Sequence, residues 1–218
     1  MARRQVLSVG AIVEAAVRVA DRGGLAQVSM RNVGRQLGVE AMSLYHHLSG
    51  KQALLDALAD WAFACIELPE PAQPWRAAMT ARAGSARRVL VAHPWALGLL
   101  ESRRTPGPAL LRHHDTVLGC LRASGFPVAL AAHAFSALDA YVYGFVLTEL
   151  NLPFEAGEGA EDLVAALAPT LAEDYAHLAE MVQELVVGHD YAYGDEFAYG
   201  LDLVLDGLEA RLAAHRDG

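Results

Sequence analysis

Two short helical patterns separated by one glycine constrain this chain more than any other feature. The stretch SMRNVGRQLGVEAMSLYHH carries apolar residues at helical spacing on both sides of Gly38. It predicts one short helix that Ser29 can cap at its N-terminus and a second short helix over residues 40–47. Glycine accepts the positive φ that a tight turn between them requires, and Val39 would fill the angle between the helices. This is helix-turn-helix spacing.

The rest of the composition favours helices as well. Of the 218 residues, 54% are hydrophobic and only 7% aromatic, with Ala and Leu in excess and no run of alternating β-branched residues. We therefore expect an all-α protein. Helices are predicted over residues 9–22, 51–67, 75–91, 95–101, 109–123, 128–151, 163–187 (with an interruption near Pro169) and 197–214.

A proline-rich segment divides the chain. PEPAQP, at residues 69–74, predicts a linker between a helix-turn-helix domain over residues 1–67 and a second domain over residues 68–218. Residues 1–60 hold seven Lys/Arg against five Asp/Glu, whereas the remainder holds ten against 21, within a net charge of −9. Any contact with a polyanion is therefore expected in the first quarter of the chain.

Several classes of protein are disfavoured. No apolar stretch approaches the ~20 residues that a membrane span needs, and MARRQVLSVG lacks the apolar core of a secretion signal. Cys65 and Cys120 have no metal-ligand spacing and are expected to be reduced core thiols of a cytoplasmic protein. Adjacent His46 and His47 point to different faces of a helix, so we expect no joint metal site.

A family resemblance follows from these residues. The run SMRNVGRQLGVEAMSLYHHLSGKQALLDAL resembles the DNA-binding half of the tetracycline-repressor (TetR) family of bacterial transcription regulators. FAYGLDLVLDGLEARL resembles the last helix of the tetracycline repressors, and HPWALGLLESRRTP and GFVLTEL match that subgroup more loosely. The resemblance implies a homodimeric regulator, most often a repressor, that binds double-stranded operator DNA and a small-molecule effector. It implies no cofactor, no resident metal and no enzymatic activity.

The resemblance also assigns the DNA-contacting residues. Three at the start of the second short helix would face base edges, five others would hold phosphates, and the arm Arg3-Arg4 could reach an adjacent groove or the backbone. The residues for bases are Ala41, Met42 and Ser43, and those for phosphates are Ser29, Arg31, Tyr45, His47 and Lys51. A lysine at a helix N-terminus is disfavoured by the helix dipole, which favours an external anion as its partner. Tyr45 could instead be a half-buried core aromatic, and His46 could simply be solvated.

The second domain departs from the tetracycline repressors. Those proteins bind a drug–magnesium chelate partly through a histidine where this chain has Leu100, and their pocket-entrance histidine and asparagine align approximately with Glu67 and Arg82. The departures argue against a Mg–tetracycline site. The corresponding cavity would be lined by Arg82, Ala86, Leu100, Arg104, His114, Val117, Phe135 and Asp139. Such a mixed wall suits a small, partly aromatic or acidic effector. The dimer would form through helices at about 128–151 and 196–214.

Two other functions remain open. An adaptor would keep the helix-turn-helix domain and act through protein partners. A helical enzyme would use side chains such as His93, His113, His114, His133 or Asp139. No glycine-rich phosphate loop, HExxH motif or Ser-His-Asp ordering supports the enzyme.

Overall fold

The computed structural model describes residues 7–70, 72–102, 106–153 and 160–216. Within these ranges the regular backbone is helical and contains no strand, which confirms the all-α prediction. Arg3, Arg4 and Arg104, which the sequence singled out, lie outside the described residues.

The described residues form eleven α-helices. In the described ranges they are α1 (Val9–Gly23), α2 (Met30–Leu37), α3 (Ala41–Leu44), α4 (Lys51–Cys65), α5 (Trp75–Ala92), α6 (Trp95–Ser102), α7 (Pro108–Ala123), α8 (Val128–Glu149), α9 (Ala160–Asp174), α10 (Ala176–Leu185) and α11 (Glu196–Arg216). Short 3-10 turns occupy Leu25–Gln27 and Tyr193–Asp195. We call α1 to α4 the head, and α5 to α8 together with α11 the body.

The head is organised around α1, which packs against α2 and α4. Ser8 caps α1, because its Oγ accepts a hydrogen bond of 3.2 Å from the amide of Ala11. The sequence places Ile12, Val13, Ala16, Val17 and Ala20 at helical spacing on α1; all five are buried, and Ile12 has no exposed surface. Leu54 and Leu58 of α4 are also completely buried, so α4 belongs to the core of the head.

The body packs α8 against α5, α7 and α11. Its most deeply buried side chains come from four different helices: Met79, Leu90, Val117, Leu121, Leu138 and Leu205. Arg87 of α5 fastens this core at one end, donating from Nε to Glu149 of α8 at 2.9 Å and from Nη1 to the carbonyl of Gly194 at 3.0 Å. On the last helix the sequence places Leu201, Val204, Leu205, Leu208 and Leu212 on one stripe; the four leucines are buried and Val204 is half-buried.

Helices α9 and α10 form a hairpin with a small apolar cluster of its own around Val182 and Val186. The sequence predicts a helix from about residue 163 that is interrupted near Pro169. In the structure α9 begins at Ala160 and continues through Pro169, and the break between the helices falls at Tyr175. A proline removes one backbone hydrogen bond, and here that loss does not end the helix.

The predicted second helix of the motif, over residues 40–47, is shorter than expected. Its α-helical part is Ala41–Leu44, and the chain then tightens, because the amides of Tyr45 and His47 donate to the carbonyls of Met42 and Leu44 three residues earlier. Such 3-10 bonds are common where a helix ends in a sharp turn. The turn is needed because Gly50, at φ 139°, starts α4 immediately afterwards.

Two other expectations need correction. Helix α8 is, among the described residues, one helix long and apolar enough by length and composition to cross a membrane. Within this chain 33% of that segment is buried, so packing in the body accounts for only part of its apolar character. Cys65, expected in the core, is exposed at the end of α4, whereas Cys120 is half-buried, and both are free thiols.

The turn between α2 and α3 depends on two glycines. Gly38 ends α2 in the left-handed region, at φ 71° and ψ 29°, as the sequence predicts. Gly34 lies where α2 and α3 approach most closely: a Cβ there would be 2.9 Å from the carbonyl oxygen of Val39 and 3.3 Å from the backbone of Ala41. These neighbours are backbone atoms, which cannot rotate away as a side chain can.

We therefore expect Gly34→Ala to destabilise the protein by about 1–3 kcal/mol, because the added methyl group overpacks the α2–α3 contact. The matched control is Gly98→Ala in α6, which is exposed and has no atom within 4 Å of the added Cβ. This control is expected to be neutral or to stabilise by up to about 1 kcal/mol. Urea unfolding followed by circular dichroism measures both. Equal stability of the two variants would contradict the close approach.

Candidate functional site

The N-terminus of α2 and the segment after Gly38 form one half of the candidate site. Ser29 adopts an extended conformation, and its Oγ accepts a hydrogen bond of 3.2 Å from the amide of Asn32. The amide of Val39 donates to the carbonyl of Gly34 at 2.9 Å, which joins the turn to α2. Leu44 is completely buried and anchors α3 to the head, so the remaining side chains of α3 are directed by a fixed backbone.

The residues that the sequence assigns to DNA contact are all at least partly accessible. Met42 has 71% of its surface exposed and Tyr45 48%. Arg31, His47 and Lys51 are exposed, and Ser29, Ala41 and Ser43 are half-buried. Tyr45 is accessible enough to reach a phosphate, its role as a half-buried core aromatic stays a second prediction, and His46 is exposed beside it. The arrangement offers cationic and hydroxyl groups around a short, mostly apolar N-terminal turn.

The other half of the candidate site is a buried polar cluster in the body. Arg82 of α5 has 2% of its surface exposed; its Nε donates to Nε2 of His113 at 2.8 Å, and its Nη2 donates to Oδ1 of Asp139 on α8. The Arg82 guanidinium carbon lies 5.3 Å from the ring centroid of Phe135. The ring of His114 lies 4.3 Å from that of Phe135. We call these five residues the Arg82 cluster.

The geometry fixes the protonation state of His113. Because Nε2 accepts a hydrogen bond from a guanidinium, the imidazole is neutral and carries its proton on Nδ1. Burial, reinforced by the charges of Arg82 and His114, lowers the pKa of His113 from 6.5 to about 3. His114 differs, because its Nδ1 donates to the carbonyl of Leu110 at 3.0 Å.

The predicted lining residues are only partly brought together. Arg82, His114, Phe135 and Asp139 belong to the Arg82 cluster. Ala86 and Val117 are buried in the core of the body, Leu100 is half-buried against that core, and Arg104 lies outside the described residues. His113 was not among the predicted ligand-binding residues. A signal for it exists, because Ala109, His113, Val117 and Leu121 form one buried stripe of α7 at four-residue spacing.

Two contacts connect this cluster to the head. Asp60 of α4 caps α7, with Oδ1 accepting from the amides of Ala109 at 2.7 Å and Leu110 at 3.2 Å. One turn further along each helix, the rings of Phe63 and His113 lie 5.6 Å apart. His113 therefore contacts α4 directly through Phe63, and α4 also packs against α1 of the head.

A third contact joins α1 to the corner between α5 and α6. Oδ1 of Asp21 accepts from Nδ1 of His93 and from Nε1 of Trp95, both at 2.7 Å. Trp61 of α4 stacks on Trp95 with ring centroids 6.0 Å apart.

The described residues contain no group of three or more His, Cys, Asp or Glu side chains placed to hold a metal ion.

Two family profiles match most of this chain. The profile for bacterial regulatory proteins of the tetR family matches residues 12–58, and that for the tetracyclin repressor-like C-terminal domain matches residues 68–212. This chain belongs to the TetR family. Its relatives include the HTH-type transcriptional repressor DrrR1 of Streptomyces coeruleorubidus, which is 33% identical over 98% of this chain and 81% of that protein. The tetracycline repressor protein class C of Escherichia coli is 30% identical over 91% of this chain and 89% of its own length.

A solved structure of a TetR-family protein has the same fold. The TetR-family protein ActR of Streptomyces coelicolor, in complex with actinorhodin, superimposes with a TM-score of 0.76 at 27% identity, covering 94% of this chain and 98% of ActR. Members of this family are ligand-responsive transcriptional repressors that bind DNA as dimers, and they are not enzymes. The helical-enzyme alternative is therefore set aside for this TetR-family chain.

The buried neutral His113 makes stability depend on pH. Its pKa is about 6.5 in the unfolded chain and about 3 in the folded one, so between these values only the unfolded state binds the proton, and stability falls as pH falls. From about pH 7 to about pH 5 we expect the wild type to lose about 2 kcal/mol more than His113→Gln.

Urea titrations at a series of pH values measure this difference. His177→Gln removes a fully exposed histidine and is expected to follow the wild type. Parallel pH curves for wild type and His113→Gln would show that the imidazole is not held neutral.

Proposed function

We propose that this chain is a homodimeric repressor that binds a palindromic operator through its two heads and leaves it when a small molecule binds near the Arg82 cluster. The observation that carries the proposal is the pair of contacts, Asp60 to α7 and Phe63 to His113, that joins the buried polar cluster to a helix of the head. A protein with this role in a bacterium works in the cytoplasm. Residues 1–67 form the DNA-binding domain and residues 68–218 the ligand-binding and dimerisation domain in this proposal.

In this proposal each head reads DNA through the segment after Gly38. Ala41, Met42 and Ser43 approach the base edges, where an apolar side chain can contact a thymine methyl group. The phosphates are held by Tyr45, His47, Lys51, Arg31 and Ser29, with the N-terminal turn of α2 adding its amides. The exposure of Met42 at the start of this segment supports such an apolar contact.

The dimer is proposed to form through α8 and α11. These helices pack on each other, and each leaves an outward face of apolar and small residues. The face consists of Ala129, Ala132, Ser136, Ala137, Ala140, Gly144 and Leu147 on α8, and Tyr199, Leu203, Gly207, Ala210 and Ala214 on α11. Leu203 has 59% of its surface exposed and Tyr199 68%. Contiguous exposed apolar surface of this kind is typical of an interface, and a two-fold partner gives the second head that a palindrome requires.

Release is proposed to follow from a shift between two head arrangements. An effector that binds one arrangement better moves the equilibrium towards it by no more than its differential affinity. Helix α4 transmits the shift, because it is held by α7 and α6 in the body and by α1 in the head. Of the predicted lining residues, Arg82, His114, Phe135 and Asp139 have the clearest geometric support.

The DNA surface is tested with Tyr45→Ala. We expect operator affinity to fall about 10- to 100-fold, because a phosphate loses a charge-assisted hydrogen bond, while the head stays folded. The measurement is fluorescence anisotropy on the palindrome in the upstream intergenic DNA, at about 150 mM salt, against random duplex. The wild type should prefer the palindrome by ~10³ or more.

The matched control is Tyr175→Ala, which removes an exposed tyrosine between α9 and α10 and should bind like the wild type. Circular dichroism separates lost contact from lost fold. If the wild type shows no preference for the palindrome, repression at that operator is excluded. If Tyr45→Ala is unfolded, Tyr45 is a residue of the core of the head.

The dimer is tested with Leu203→Glu, which places a carboxylate on each side of the proposed interface. We expect the dimer to dissociate in sedimentation velocity experiments, and operator affinity to fall with it. Leu111→Glu is the matched control, because Leu111 on α7 has 56% of its surface exposed outside this face. If Leu203→Glu sediments as a dimer like its control, α8 and α11 are not the interface.

A further inference from the structure

Two buried nitrogen atoms in the Arg82 cluster have no hydrogen-bond partner among the described residues: Nη1 of Arg82 and Nδ1 of His113. Both carry hydrogen, since the guanidinium is always protonated and the neutral imidazole of His113 has its proton on Nδ1. An unmade donor in a protein interior costs about 1–3 kcal/mol. Because nearly all buried polar groups are satisfied, two such donors in one contacting pair need a reason.

A second, half-buried arginine on the same helix has a full set of partners. Arg87, five residues after Arg82 on α5, uses all three of its nitrogens: Nε and Nη2 donate to the carboxylate of Glu149, and Nη1 donates to the carbonyl of Gly194. Arg82 has one carboxylate partner and one imidazole partner, and its Nη1 is left over. The difference between the two arginines sets Arg82 apart from a purely structural brace.

The surroundings of the free donors are aromatic. Phe135 lies under the guanidinium of Arg82, His114 lies against Phe135, and Phe63 lies against His113. Flat rings of this kind stack favourably on another flat ring. Both free groups are donors, so the matching ligand atom is an acceptor, and an anionic oxygen makes the stronger, charge-assisted bonds.

We propose that Nη1 of Arg82 and Nδ1 of His113 bind an oxygen anion, a carboxylate or a phenolate, on an aromatic ring of the effector. The proposal rests on the proposed function and names the chemistry of its ligand. Both donor atoms are sealed from solvent, so the ligand reaches them only when neighbouring side chains move. Phe63 of α4 is one of these neighbours, so binding and the displacement of α4 are one event.

The test compares 2-naphthoate with 2-methylnaphthalene, which has the same ring system and no acceptor oxygen. Binding of each to the full-length, DNA-free protein is measured by isothermal titration calorimetry. We expect the wild type to bind 2-naphthoate at least about tenfold more tightly than 2-methylnaphthalene. We expect the paired variant Arg82→Met/Asp139→Leu to lose most of this preference, because it removes the charged donor, keeps only Nδ1 of His113 and leaves no buried carboxylate unpaired.

The matched control, Arg87→Met/Glu149→Leu, removes the satisfied ion pair of the same helix and should keep the wild-type preference. His113→Leu is a second, independent variant; it removes one donor and should weaken 2-naphthoate about tenfold with no loss for 2-methylnaphthalene. The proposal is overturned if the wild type shows no preference or does not bind 2-naphthoate. A preference that survives in both the Arg82 and His113 variants, or an equal loss in the Arg87 control, overturns it as well.

The operator measurement keeps this outcome separate from the proposed function. If the protein prefers 2-naphthoate but does not prefer the palindrome, the anion site is supported and repression at that operator is excluded. A protein that binds the palindrome without distinguishing the two naphthalene compounds retains the repressor role and loses the anion site.

Discussion

Helix α4 packs against α1 of the head and against α6 and α7 of the body, and the connection between head and body depends on this helix. Leu54 and Leu58, completely buried, lie in the core of the head, and burial of one such side chain stabilises by about 1.5–3 kcal/mol. Asp60 and Phe63, less than two turns further along, hold the N-terminal turns of α7. Breaking either set of contacts would cost free energy. Helix α4 therefore cannot move relative to the head without also moving relative to α7.

The contact between Asp21 and the α5–α6 corner adds a second point of attachment. Asp21 lies in the last turns of α1, and its carboxylate holds His93 and Trp95 together. The head is thus fixed to the body through α4 and, separately, through α1. In the proposed mechanism, a head attached at two points rotates about one attachment when α7 shifts at the other, and this rotation changes the separation of the two DNA-contacting segments in a dimer. This is the geometry that a helix-turn-helix regulator needs, because its half-sites have a fixed spacing.

Local features of this fold could be predicted from the sequence because they depend on neighbours in the chain. The Ser29 cap, the left-handed Gly38 and the buried Leu44 all follow from residues within one or two turns of each other. The early end of α3 could not be predicted, since it reflects the sharp entry into α4 at Gly50. Likewise, α9 runs through Pro169, although the sequence suggested a break.

The candidate site in the body shows the same limit. Arg82, Asp139 and His114 could be selected as polar residues on predicted helices, but the partner of Arg82 could not. His113 reaches Nε of Arg82 from a position 31 residues away, and only packing decides which of the adjacent histidines faces inward. Asp60 caps α7 from a position 49 residues away from Ala109, and helical periodicity could not predict this contact either. Sequence patterns locate helices and their apolar stripes, whereas the pairing of polar groups between helices is fixed by the tertiary structure.

The unsatisfied donors of Arg82 and His113 connect binding energy with the shift that repression requires. A ligand shifts a two-state equilibrium only through a difference in its interaction with the two states. Donors that are sealed and unpaired in one arrangement, at a cost of about 1–3 kcal/mol each, provide such a difference when an acceptor satisfies them in another. Two of them together correspond to roughly 2–6 kcal/mol, which spans the change of about 5.5 kcal/mol that takes a population from 1:99 to 99:1. The satisfied pair Arg87 and Glu149 offers a ligand no such gain in free energy, because the ligand would have to break existing hydrogen bonds before making new ones. In the proposed mechanism, His113 of the unsatisfied pair lies against Phe63 of α4, and a small molecule that satisfies the pair changes DNA binding through this helix of the head.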